Sequence, residues 1–259
     1  MAKNTDYTVP MVEKALQILH FLLENGGAHG TGDIANRLNL PKASVFKILY
    51  TLEKEHFVAK DREDRYRLGL GFIPYDAEVR NRWDFTTVTR PIMERAVAAM
   101  GESLNLGICA DDTIVVLDTV AGEDFYIMRH LIPVAPLYCS AIGKIFLAEY
   151  EEEEDLDLYL GRHELAPRTI STLTTKEALV ADLQEVVETG TAHDREEYEY
   201  GLTCMAKGVY FKGKLIAGVS LSGPTSRLEH KGMDRLEEAL ADVADALAAE
   251  PGLGTLLSL

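Results

Sequence analysis

Lys42, Ala43, Ser44, Lys47, Tyr50 and Thr51 recur at helical spacing opposite the apolar Val45, Ile48, Leu49 and Leu52. A helix with a short-chained, hydroxylated and basic outer face suits a duplex groove. Lys42 and Lys47 are placed to neutralise phosphates or reach acceptors on guanine, and the short Ala43 and Ser44 permit close approach at the N-terminal end. A few residues on, Arg62, Arg65 and Arg67 crowd a charged turn from which they reach phosphates or a minor groove. Thr31, the expected N-cap of the preceding helix, is grouped with this surface. Other chemistries leave little trace. No GxGxxG follows a strand, and neither GxxxxGK[ST] nor HExxH occurs. Cys109, Cys139 and Cys204 are far apart and form no CxxC, so neither a disulfide framework nor a zinc site is encoded. No cofactor and no metal is expected. Cys204 with His193 or His130 and Asp194 would be the raw material of a Cys-dependent hydrolase. No nucleophile signature flanks that cysteine.

The elements that must carry these side chains can be read from periodicity. Val12, Leu16, Leu19, Phe21, Leu22 and Leu23 predict a helix over Met11–Glu24, stopped by Asn25-Gly26-Gly27. Ile34, Ala35 and Leu38 mark a second short helix. After the tight link Asn39-Leu40, Pro41 is expected in the first turn of the third. Phe57–Lys60 and Arg65–Leu68 read as two short strands around Asp61–Asp64, a wing pinned by Phe57 and Val58. Two helices joined by a tight turn, the second basic outside, followed by a basic hairpin, describe a winged helix-turn-helix.

Charge separates this front from the rest. The chain of 259 residues carries a net charge of −16, which by itself argues against nucleic acid. Residues 1–82, however, hold 12 Lys and Arg against 11 Asp and Glu, and residues 83–259 hold 14 against 31. Any contact with DNA must therefore come from the front. The length suits two domains, and the ordinary composition excludes disordered, collagenous and disulfide-scaffold classes. No apolar run reaches membrane-spanning length and no signal peptide is evident, so a cytoplasmic location is expected.

The expected organisation is α+β: residues 1–72 a winged helix-turn-helix, 73–83 a helical linker, and 84–259 a larger domain of antiparallel strands with helices on their faces. In the last, a helix is predicted over Asp84–Met100, started afresh or kinked at Pro91. Strands follow over Ser103–Ala110, Thr113–Thr119 and Asp124–Leu131. A helix opens at Ser140-Ala141-Ile142-Gly143-Lys144, and an acidic helix covers Glu151–Leu160. An amphipathic helix over Lys176–Thr189 ends at Gly190, and a hairpin turns at Lys212-Gly213. One long final helix spans Thr225–Ala249.

The run DIANRLNLPKASVFKILYTLEKEHFV resembles the winged helix-turn-helix of the isocitrate-lyase-regulator (IclR) family of bacterial transcription factors. The runs SAIGKIFLA, HDREEYEYGLTCMAKGV and GKLIAGVSLSGPTSRL resemble that family's effector-binding domain, which is similar to GAF sensor domains. The resemblance implies a regulator that binds double-stranded promoter DNA with its front and a small-molecule effector with its rear, as a dimer and a dimer of dimers. It further implies that the N–H groups of Ala141 and Ile142 hold an effector carboxylate, and that Asp194, Cys204, Ser220 and Ser222 fall on pocket positions. An anion at a helix N-terminus is physically sound, and period two puts both serines on one strand face. With the apolar Ile142 and Met128, these residues point to a small or aromatic organic acid. The chain departs from the family's habits at Ala141-Ile142, where Gly-Ala is usual, at Lys207, at Thr189-Gly190-Thr191, and at Lys47 in place of Arg. The competing readings are a DNA-independent ligand sensor, for which neutralising Lys42, Lys47 and Arg65 would cost nothing, and the Cys204 hydrolase.

Overall fold

Proline has no N–H to leave unsatisfied, so Pro10 opens α1 (Pro10–Asn25), and Gly26 and Gly27 end it at φ of +57° and +65°. In the computed structural model, which describes residues 7–82, 85–122, 134–150 and 153–257, the chain divides into two units, Met1–Trp83 and Asp84–Leu259. The first unit continues with β1 (His29–Gly30), α2 (Thr31–Arg37), α3 (Lys42–Lys54), β2 (Val58–Lys60) and β3 (Arg65–Leu68). A 3-10 turn at Leu70–Phe72 leads into α4 (Ile73–Arg82). Its small sheet has the order β1-β3-β2. Ile18, Leu22, Ile34, Val45, Leu49 and Val58 are buried together and lock the three helices to the hairpin.

Two caps differ from expectation by one residue. Thr31 is the first helical residue of α2 and Gly30 its cap, so no hydroxyl caps that end. Pro41 is the cap of α3 rather than part of its first turn, its carbonyl accepting from the N–H groups of Ser44 and Val45. Asn39 takes the left-handed conformation, φ +51°, that the tight α2–α3 turn requires and that Asn tolerates.

The second unit comprises α5 (Phe85–Met100), β4 (Ser103–Ala110), β5 (Thr113–Val120), β6 (Val134–Pro136), α6 (Ala141–Ala148), α7 (Glu153–Arg162) and α8 (Lys176–Thr189). β7 (Thr191–Arg195), β8 (Leu202–Phe211), β9 (Lys214–Pro224), α9 (Thr225–Lys231), α10 (Met233–Ala248) and α11 (Pro251–Leu257) complete it. Among the described residues, six strands form one antiparallel sheet, order β6-β5-β4-β9-β8-β7. Helix α6 packs on β7, β8 and β9, and α5 and α10 pack on β5, β8 and β9.

α5 runs through Pro91 without interruption. The single final helix expected over Thr225–Ala249 is instead two, because Gly232 at φ +91° breaks it. Just before the break, the Lys231 ammonium reaches back to the carbonyl of Met100 and the buried Glu102 carboxylate, which Arg227 also grips with two hydrogen bonds. The strand predicted at Asp124–Leu131 falls on residues outside those described.

Candidate functional site

The cavity of the second unit is lined from six strands and one helix end, and four of the strands, β4, β7, β8 and β9, supply its polar side chains. Strand pairing sets Asp194 opposite Cys204, Cys204 opposite Ser222, and Ser220 opposite Asn105. Alternation along each strand turns these side chains to the same face. Above them lies the start of α6, where Ser140 caps the helix through the N–H of Gly143. The N–H groups of Ala141 and Ile142 belong to the first turn, which the helix's own carbonyls do not reach. Gly143 is required there, since a Cβ would stand 2.4 Å from the Leu137 backbone.

The result is a cavity of about 60 Å³. Asn105, Asp194, Cys204, Ser220 and Ser222 supply its polar lining with Ser140 and Ala141, while Ile114, Val116, Ala135, Ile142, Tyr198 and Leu202 supply apolar walls. Six residues singled out by the sequence, Ala141, Ile142, Asp194, Cys204, Ser220 and Ser222, are thus brought to one space. Met128 lies outside the described residues.

Asp194 is 2% exposed. One of its oxygens accepts from the N–H groups of Glu197 and Tyr198, at 2.7 and 3.2 Å. Burial still outweighs both bonds and pushes its carboxyl up to about 7. Burial, with Asp194 beside it, likewise drives the Cys204 thiol upward, so this sulfur is a neutral lining group rather than a thiolate. His193, next along β7, faces the other way, towards Glu237 of α10 at 3.9 Å. Burial, then Arg195, hold its imidazole below the usual range. The cysteine–histidine pair that the hydrolase reading needs is therefore not formed with His193. Lys207 also leaves the cavity, pairing with Glu237 at 3.5 Å and the Thr189 carbonyl at 3.4 Å.

Two features are not anticipated from sequence. Asn105 donates to Ser222 at 3.1 Å and Ser220 at 3.4 Å and accepts from Thr119, and the Ser222 hydroxyl also hydrogen-bonds the Cys204 sulfur. A polar residue within the apolar run of β4 is the available signal. The second is a buried ion cluster behind the wall: Lys144 contacts Glu197 at 2.6 Å, Asp182 at 2.9 Å and the His193 carbonyl at 2.8 Å. Burial pushes Glu197 upward even with that ammonium against it.

In the first unit, Lys42, Ala43, Lys47 and Tyr50 stand exposed on α3, and Ser44 is half-buried. The Lys42 ammonium lies above Gly32, beside Thr31. The Thr51 hydroxyl is bonded to the Lys47 carbonyl, and Thr51 lines a groove between α3 and α1 rather than the centre of the outer face. In the wing, Arg62 and Arg67 are exposed, but Arg65 is held by Asp61 at 3.0 Å and Glu63 at 2.8 Å. The acidic turn that shapes the hairpin also occupies that guanidinium.

Among the described residues, no group of three or more His, Cys, Asp or Glu is placed to hold a metal ion, and no helix is long and apolar enough to cross a membrane.

Comparison with known proteins converges on one family. The transcriptional repressor AllR of Escherichia coli K12 is 30% identical over 249 residues, covering 93% of this chain and 90% of AllR. The crystal structure of an IclR transcriptional regulator from Alicyclobacillus acidocaldarius aligns with a TM-score of 0.73 at 28% identity, covering 94% of this chain and 99% of that one. An IclR homologue from Microbacterium hydrocarbonoxydans, crystallised with 4-hydroxybenzoate, shares the fold at 20% identity with a TM-score of 0.65, covering 96% of this chain and 99% of its own. The family profile described as the IclR helix-turn-helix domain matches residues 11–62, and that described as the bacterial transcriptional regulator IclR C-terminal matches residues 77–249. The chain belongs to the IclR family of bacterial transcriptional regulators.

Proposed function

We propose that this chain is a one-component repressor that reads promoter DNA through α3 and the wing and is controlled by a small organic acid bound under the N-terminus of α6. The observation that carries the effector half is the convergence of the first-turn N–H groups of Ala141 and Ile142 with Asp194 and two serines on one cavity. The carboxylate meets the helix N–H groups, the favoured place for an anion. Ser220 and Ser222 donate to its remaining oxygens, and Asp194, carrying its proton, donates rather than repels. A space of about 60 Å³ holds roughly two waters and falls well short of the roughly 150 Å³ that takes a benzene ring. That favours an acid of few non-hydrogen atoms over an aromatic one. Repression as the sign of control follows the AllR relative.

One winged helix makes too few contacts for selective binding, so a dimer reads two half-sites. The exposed Met11, Val12 and Leu16 of α1 and Ile73, Tyr75 and Val79 of α4 offer an apolar surface for that dimer. Contacts between second units complete a dimer of dimers. The protein works in the cytoplasm, without a cofactor. An effector acts by binding the DNA-competent and incompetent arrangements unequally. The test is a mobility-shift assay with the intergenic DNA beside the protein's own gene, at low salt, with and without a panel of two- to four-carbon acids. Retarded DNA released by one acid is the expected result; no retardation at any salt would sink the reading.

A further inference from the structure

The outer face of α3 is not uniformly polar. At about 100° per residue, Ala43, Phe46 and Tyr50 fall along one stripe. Lys42 lies on one side of it, and Lys47 and Lys54 lie on the other. The aromatic rings are in water: Phe46 is 52% and Tyr50 61% exposed. Neither belongs to the core, which Val45, Ile48 and Leu49 of the same helix already fill. Phe46 is also absent from the lining of the groove between α1 and α3, where Met11, Val12 and Lys47 meet. A half-exposed phenyl ring in the middle of the helix, with Lys42 on one side and Lys47 and Lys54 on the other, stands outside the core. It is suited to an apolar partner inside a polyanion.

Duplex DNA offers one such partner. The major groove is lined with hydrogen-bonding edges, and its apolar feature is the 5-methyl group of thymine. A helix seated there places its central stripe on the base edges and its flanks towards the two phosphate strands, matching the order lysine, aromatic, lysine across α3. We infer that Phe46 reads thymine in each operator half-site by packing its ring on the 5-methyl group, with Lys42 and Lys47 set against the flanking phosphates. The inference rests on the DNA-reading function proposed above and adds the chemistry of the recognition. At Phe46 discrimination comes from shape and methyl burial, because this side chain has no hydrogen bond to give. Operators are then marked by thymine at a fixed place in each half-site.

The test uses the full-length protein. Bound sequences are first selected from a pool of randomised duplexes. Each thymine of the best site is then replaced, one at a time, by deoxyuracil, which removes only the methyl group. The expected result is a loss of about fourfold in affinity at one or two symmetry-related positions, the worth of one buried methyl-sized group. Phe46→Ala should bind the thymine duplex about tenfold more weakly and show no difference between thymine and uracil there, while Phe46→Leu keeps part of the preference. Because the ring is exposed, the thermal transition of Phe46→Ala should match the parent. Equal binding of thymine and uracil duplexes at every position, or a methyl preference that survives Phe46→Ala, would overturn the inference while leaving DNA binding intact. Loss of the dimer in Phe46→Ala, read by sedimentation, would reassign the ring to a contact between copies. Selection of no duplex at all would remove the DNA reading and this inference together.

Discussion

The Lys144 ammonium lies 2.6 Å from a Glu197 carboxylate oxygen, and both side chains are buried. This contact ties the first turn of α6, which carries the N–H groups proposed to hold the effector, to the loop that orients Asp194. Asp182 shares the ammonium at 2.9 Å. A buried pair of this kind is weak evidence for net stability, but removing one member strands the other charge. Lys144→Met should therefore cost about 3–5 kcal/mol in denaturant unfolding. The double variant Lys144→Met with Glu197→Gln should recover a substantial part. Equal losses in the single and double variants would mean that the contact does not couple the two elements.

The buried Asp194 makes the effector unit sensitive to pH, with a definite sign. Its carboxyl is pushed from an ordinary 3.8 to about 7, chiefly by burial. Between these values the folded state holds a proton that the unfolded state has released, so stability falls as pH rises through that window and levels off above it. Glu197, also pushed up, adds to the trend, while His193, pulled down, opposes it. Asp194→Asn should remove much of the fall in urea midpoint between pH 5.5 and pH 8. In the proposed site the same proton governs the ligand. A carboxylate effector should bind more tightly at pH 6 than at pH 8, by up to about tenfold for each unit above 7 if its binding needs Asp194 neutral. Titration calorimetry on parent and Asp194→Asn checks this, and a pH dependence that persists in the variant counts against the assignment.

Ile142 marks where this cavity departs from the family's habit, and its bulk has a visible accommodation. A Cβ at Gly218 would stand 2.6 Å from the Ile142 Cγ2, and Gly107, paired with Gly218 across β4 and β9, lies against the same side chain. Gly218→Ala should lower the melting temperature, and Ile142→Ala in the same chain should relieve the clash. Ile142→Ala alone should cost about 2–5 kcal/mol and enlarge the cavity, raising the affinity for acids with an aromatic ring relative to the parent. Displacement of a bound fluorescent aromatic acid would follow the change.

Much of this is legible in the sequence alone. The helices with clear apolar stripes, α1, α3 and α8, fall where periodicity puts them, because each keeps one face in water, and the hairpin β8–β9 is found by its turn at Lys212-Gly213. β7 escapes such a reading: its five residues, Thr191–Arg195, alternate between two covered faces, so the polar His193 and Asp194 look like loop. The break at Gly232 escapes it too, because a single glycine does not by itself end a strong amphipathic pattern. At the cavity, the resemblance points to Asp194, Cys204 and the serines, but not to Asn105 or Lys144, whose partners lie across the sheet or on another helix. The exposed Phe46 is hidden for the opposite reason: next to Val45 on an amphipathic helix, a phenylalanine reads as core.

In the first unit, the hydrogen bonds of the wing predict unequal roles for its arginines. All three wing arginines, Arg62, Arg65 and Arg67, are exposed, but Arg65 is already engaged by Asp61 and Glu63. Each neutralised phosphate contributes about −0.9 to the slope of log affinity against log salt. Arg67→Ala, Lys42→Ala and Lys47→Ala should each flatten that slope by about one for every phosphate no longer neutralised, and weaken binding to all duplexes alike. Arg65→Ala should change it least, since DNA must first draw the guanidinium away from two carboxylates. Asp61→Asn offers the converse, loosening Arg65 for phosphate and steepening the slope, though the hairpin then loses the carboxylate that accepts the N–H groups of Glu63 and Arg65. Fluorescence anisotropy over a salt series separates the four arginine and lysine variants. If Arg65→Ala flattens the slope as much as Arg67→Ala, the internal pairing does not persist in the complex.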